Sequence, residues 1–247
     1  MKTTDEQLLE LMRELDSRDT MPLDKVNKKL LVLSTPRSGS SMFCDVLSKT
    51  ALIGDCREWF NFRYLEAYIK MTESQQVNFY GYIDYVIGKT TANSGIFAVN
   101  AHIDQYITLL KNKVNMFDFG FDHIVYLRRK DIFAQTVSLA KADLLDAWSA
   151  GSAKKELSKQ LTNNTLLPYF SKLRSNERYY QQKLAAKVHA EYEYEDFCRL
   201  DKTSAYSQVL AALGFDDFSG SFHTGMKKQA DADSEKIIAD FRKYISG

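Results

Sequence analysis

Apolar positions along the chain follow two spacings. Short continuous runs, Leu30-Leu31-Val32-Leu33, Ile96-Phe97-Ala98-Val99 and Ile124-Val125-Tyr126-Leu127, predict strands buried on both faces at Lys29–Ser34, Gly95–Asn100 and Asp122–Arg128. The stretch Val188–Tyr194 predicts a fourth strand. Between the strands the apolar positions recur every three to four residues, which is the helical period. Leu8, Leu11, Met12 and Leu15 place a helix over Thr4–Asp16, and Met42, Phe43, Val46 and Leu47 place one over Ser41–Thr50. Further helical pattern covers a tyrosine-rich region from Phe60 to Gly88, then His102–Lys113, Asp131–Ala150 and Lys154–Ala186. Two more helices follow, Ser204–Leu213 with Gly214 as its C-terminal stop, and Ser234–Tyr244. Strands alternating with helices from residue 29 onward predict an α/β fold, three-layered and P-loop-like, with a central, mostly parallel sheet flanked by helices. A single domain over residues 1–247 is expected, with residues 1–20 as an N-terminal helix and 60–93 as a tyrosine-rich helical insert.

The first strand runs directly into Ser34-Thr35-Pro36-Arg37-Ser38-Gly39-Ser40-Ser41, and a helix starts there. Strand, small-residue loop and helix start is the arrangement that turns backbone N–H groups and a positive helix end toward an anion. Gly39 permits close backbone approach or positive φ, Ser38, Ser40 and Ser41 bring hydroxyls, and Arg37 brings a planar permanent cation. The loop lacks the G-x-x-x-x-G-K-[ST] signature of nucleoside-triphosphate binders, having one glycine and no lysine before its serine pair. A plain capped turn is the alternative.

Three other places could bear chemistry. The third strand exits into Arg128-Arg129-Lys130-Asp131, followed by Gln135, Thr136 and Ser138. In an open α/β sheet ligands sit beyond the carboxyl ends of the strands, so these cations and hydroxyls could hold a phosphate. They could equally form a solvated turn with Asp131 as helix cap. Glu58, in Arg57-Glu58-Trp59-Phe60, is a carboxylate among aromatics that could accept a proton from a substrate hydroxyl, or could simply pair with Arg57. Lys227-Lys228-Gln229-Ala230-Asp231 is a basic loop that could close over a phosphate or stay solvated.

Composition narrows the classes. A formal net charge of +1 over 247 residues argues against a nucleic-acid binder. No uncharged apolar window is long enough for a membrane span, and the charged, amphipathic N-terminus lacks a signal-peptide core. Three scattered cysteines and four isolated histidines predict reduced thiols, a cytoplasmic protein and no metal site. At the exit of strand three, arginines stand where a kinase-like chain would place an acidic metal ligand. That substitution favours a metal-free site with extra phosphate ligands.

The segments LVLSTPRSGSSMFCDVL, GDCREWF, VYLRRKDIFAQTVSLAKA and KKQADADSE, in this order and spacing, resemble the sulfotransferases of the Stf0, or trehalose 2-sulfotransferase, family. The resemblance runs from about residue 29 to 242. It implies sulfuryl transfer from 3′-phosphoadenosine 5′-phosphosulfate (PAPS) to a hydroxyl of a small acceptor such as a sugar, by a homodimeric enzyme. Carried over by position, it makes Arg37, Ser38, Gly39, Ser40 and Ser41 the 5′-phosphosulfate loop. Arg129 and Ser138 become ligands of the 3′-phosphate, Lys228 the basic residue of a closing loop, and Glu58 the general base. Arg37 meets the charge that builds on the bridging oxygen. Gln105 and the tyrosine-rich insert border the acceptor. Lys130 stands where the family often has proline, and Asn100 where it tends to have lysine. The competing readings are a small-molecule kinase using ATP or GTP and a nucleotide-binding module without turnover.

Overall fold

A computed structural model describes residues 4–74, 76, 78–144, 161–200, 204–226 and 232–247. Four strands, β1 (Lys28–Ser34), β2 (Ile96–His102), β3 (His123–Arg128) and β4 (Ala190–Glu193), form one sheet in the order β2-β1-β3-β4, all parallel. The all-parallel arrangement explains the unbroken apolar runs. Leu31 and Leu33 of β1 point into one core and Leu30 and Val32 into the other, all fully buried.

The core on the first face is closed by α1 (Thr4–Asp16), α3 (Phe62–Thr72), α4 (Phe79–Thr90) and α5 (Ile103–Lys111). The opposite core is closed by α2 (Ser40–Ser48), the short α8 (Tyr194–Phe197) and α9 (Ser204–Ala212). A third cluster joins α6 (Ile132–Leu144), α7 (Asn163–Tyr179) and α10 (Ala232–Ser246). The tyrosine-rich insert is two helices, α3 and α4, and Trp59, Phe60 and Tyr82 are fully or almost fully buried in the first core. Beyond α7 a π turn over Tyr180–Leu184 and a 3-10 turn over Ala185–Lys187 lead into β4. The expected helices over 131–150 and 154–186 fall partly on residues 145–160, outside the described residues. Cys44 and Cys56 are buried free thiols facing each other.

Register decides what meets at the carboxyl edge of the sheet. Ser34 at the end of β1 aligns with His102 on one side and Leu127 on the other, and Arg128 aligns with Glu193. The chain leaves β1 toward β2 on one side and leaves β3 toward β4 on the other. A crevice at such a switch point is where open α/β sheets take ligands. β2 continues two residues past the predicted end at Asn100, so His102 closes the strand and at the same time caps α5, which starts at Ile103.

Candidate functional site

The loop after β1 leaves donors open to an anion. Arg37 (φ 63) and Gly39 (φ 86) both adopt the left-handed region on either side of Ser38. Gly39 is the N-cap of α2 and supplies no side-chain cap, so the first amides of α2 keep their donor capacity. A Cβ on residue 39 would lie 2.4 Å from Cδ2 of Tyr194 and 3.2 Å from Cζ of Phe197, so only glycine lets that ring pack on the loop. Gln135 of α6 holds the loop from behind, its Nε2 donating to Thr35 Oγ1 and to the Pro36 carbonyl, each at 2.7 Å. Asn100 of β2 braces the other end. Ser34 Oγ donates to its Oδ1 at 2.9 Å and its Nδ2 donates to Ser40 Oγ at 3.2 Å, all three residues being buried. Ser41 is exposed in the first turn of α2.

The cations at the end of β3 divide. Arg128 donates to Glu193 at 2.5 Å and Lys130 pairs with the same carboxylate, so both are tied to β4 at the edge of the cleft they also line. Asp131 caps α6 by accepting from the amides of Phe133 and Ala134. Thr136 is also removed from the site, since its hydroxyl donates to the Ile132 carbonyl within the helix. Arg129 turns the other way, its guanidinium 4.8 Å from the centre of the Tyr194 ring. Arg37 joins it there, with Nε donating to Ser138 Oγ at 3.0 Å. Burial first, then the charge of Arg129, lowers the pKa of Arg37 below an arginine's usual value. Two like charges face one crevice. Within it Ser38 Oγ and Arg129 Nε are buried with no hydrogen-bond partner among the described residues. Orphaned donors beside paired cations call for an anion, and phosphate oxygens fit them. A cleft of about 320 Å³ opens beside this cluster, lined by Thr35, Arg129, Gln135, Arg174 and Glu177 among others. Lys228 lies outside the described residues.

Glu58 sits at the neighbouring strand end. The segment before it runs alongside β2, where Arg57 bridges Val99 and accepts from the Asn100 amide at 2.9 Å. Arg57 pairs with Asp55 at 2.8 Å, not with Glu58. The Glu58 carboxylate instead accepts at Oε2 from Gln105 Nε2 at 2.6 Å and from Asn61 Nδ2 at 3.3 Å. Its Oε1 lies 3.7 Å from Nε2 of His102. Sequence reasoning named Gln105 and passed over His102. The available signal was Ala101, a small apolar residue that carries the strand past Asn100.

A four-stranded all-parallel sheet flanked by helices, with a glycine-serine loop after β1 and arginines after β3, is consistent with the P-loop-like fold of sulfotransferases. The family model of the Stf0 sulphotransferases matches residues 29–244, and the chain belongs to that family, whose reaction is sulfuryl transfer. Among curated proteins none matches the chain. No helix among the described residues is long and apolar enough to cross a membrane.

Proposed function

We propose that this protein transfers a sulfuryl group from PAPS to a hydroxyl of a small acceptor, a sugar being the acceptor class that the family resemblance suggests. The observation that carries the reading is the Arg37–Ser138–Arg129 cluster with its two orphaned donors beside the α2 terminus. Arg129 and Ser138 recognise the 3′-phosphate. Ser38 and the first amides of α2 hold the 5′ end, whose phosphosulfate supplies the group that moves. Glu58 takes the acceptor's hydroxyl proton as the new oxygen–sulfur bond forms. Arg37, anchored through Nε to Ser138, turns the rest of its guanidinium toward the 5′ end and stabilises the charge left on the bridging oxygen when that bond breaks. Gln105 and Asn61 fix the Glu58 carboxylate so that little reorganisation is needed at that moment.

Titration calorimetry with adenosine 3′,5′-bisphosphate and with ATP–Mg²⁺ tests the donor. The bisphosphate should bind much more tightly, and Arg129→Ala should weaken it by at least tenfold. Glu58→Gln should keep that affinity and lose about 10²–10⁴ in transfer rate. Preference for ATP–Mg²⁺ would replace this reading with a kinase, and bisphosphate binding without turnover on any hydroxyl acceptor would leave a binding module.

A further inference from the structure

His102 was not part of the sequence-derived site, yet it closes β2 one strand over from the anion loop, in register with Ser34. Its side chain is only 13% exposed, and Nε2 is buried with no hydrogen-bond partner among the described residues. A buried imidazole nitrogen left unpaired is costly, and an oxygen brought in beside it would remove that cost. Glu58 Oε1 lies 3.7 Å away, too far for a direct hydrogen bond and suited to an oxygen placed between the two. An atom about 2.8 Å from each satisfies both.

We propose that His102 is a second catalytic residue: Glu58 Oε1 and His102 Nε2 hold the acceptor hydroxyl between them. This clamp rests on the sulfotransferase reading and adds to it. Neutral His102 donates Nε2–H to one lone pair of the acceptor oxygen, while that hydroxyl donates its hydrogen to Glu58. The second lone pair then faces the sulfur. In transfer, the acceptor O–H bond breaks and its proton passes to Glu58. The oxygen–sulfur bond forms as the sulfur–oxygen bond to the 5′-phosphate breaks, and His102 neither gains nor loses a proton.

The surrounding charges are already engaged. On α5, Asp104 pairs with Lys172 of α7 at 2.8 Å. On the Glu58 segment, Asp55 pairs with Arg57. From α3, Tyr64 faces the carboxylate, and burial followed by the Glu58 charge pushes its phenol up to about 12, so it stays neutral across the working range. Ser34 of β1 and Gln105 of α5 are uncharged. The charge state of the slot is therefore set by Glu58 and His102.

The test is kcat and acceptor KM for wild type, His102→Ala and His102→Gln, with bisphosphate affinity measured in parallel. His102→Ala should raise acceptor KM and lower kcat, together costing about 10²-fold in kcat/KM, with bisphosphate affinity unchanged. His102→Gln keeps an N–H donor near the same place and should recover at least tenfold of that loss. An imidazole NMR spectrum reads the pair without turnover. One of the four histidine signals should vanish in His102→Gln, and the same signal should move in Glu58→Gln. Unchanged kcat/KM in His102→Ala, no recovery in His102→Gln, or an imidazole signal blind to Glu58→Gln overturns the clamp while leaving the donor reading intact. A wild type that transfers no sulfuryl group overturns both.

Discussion

Gly39 carries two constraints at once. Its φ of 86 lies where side chains are strained, and the space a Cβ would need is filled by the Tyr194 ring. Left-handed backbone costs an ordinary residue about 1–2 kcal/mol. Arg37 accepts that cost at φ 63, and in exchange its guanidinium reaches Ser138 and faces Arg129. For Gly39→Ala the strain comes with displacement of Tyr194, which in turn supports the Arg129 guanidinium. The variant should lose about 1–2 kcal/mol in urea denaturation and bind adenosine 3′,5′-bisphosphate more than tenfold more weakly. Unaltered bisphosphate affinity would show that the ring-to-loop contact does not shape the anion site.

At the scale of elements, β2 and α2 are locked through one side chain. Asn100 takes the Ser34 hydroxyl and gives to the Ser40 hydroxyl, joining the end of one strand to the start of the helix after its neighbour. Asn100→Ala leaves both serine hydroxyls buried with that partner gone, which should cost about 1–3 kcal/mol. For a domain of this size each kcal/mol lowers the melting temperature by roughly 2–4 °C, so calorimetry should record a clear fall. No fall would mean that the two strand ends hold together without the brace. The elements themselves were legible in the sequence because strand runs and helical period are local signals. The strand, small-residue loop and helix start after β1 were legible too, since the three are contiguous. Partnerships were not. Gln135 grips Thr35 and Pro36 across about one hundred residues, and Glu193 claims Arg128 and Lys130 from the next strand. Such pairings follow from parallel register, which the individual strands do not encode. The end of β2 at His102 was weakly marked in the sequence, by Ala101 alone, and becomes plain only with β1 beside it.

The whole molecule rests on two cores sharing one sheet, and buried tyrosines hold both. Tyr82 and Tyr126 sit in the core on the α3–α5 face and Tyr206 in the opposite one, all fully buried. Their hydroxyls donate to the Trp59 carbonyl at 3.0 Å, to Glu177 at 2.6 Å and to the Phe197 carbonyl at 2.9 Å. Burial pushes each phenol above its ordinary value of 10, and for Tyr126 the Glu177 charge pushes further. Tyr64, held up at about 12, belongs with them. A raised pKa in the folded state means that the folded chain keeps protons the unfolded chain gives up. The associated stability is therefore complete below pH 10 and is lost as pH rises above it. Each tyrosine contributes up to about 1.4 kcal/mol per pH unit in that range. Four together remove about 5–6 kcal/mol per unit, against a total stability of about 5–15 kcal/mol. The urea midpoint should therefore hold steady from this source up to pH 10 and collapse between about pH 10 and 12. Phenolate absorbance should appear in the same step as loss of helix, because ionisation and unfolding of both cores are one event. Phenolate forming well before the helices melt, or a midpoint flat to pH 12, would show that these tyrosines titrate inside a folded chain and do not hold the two faces together.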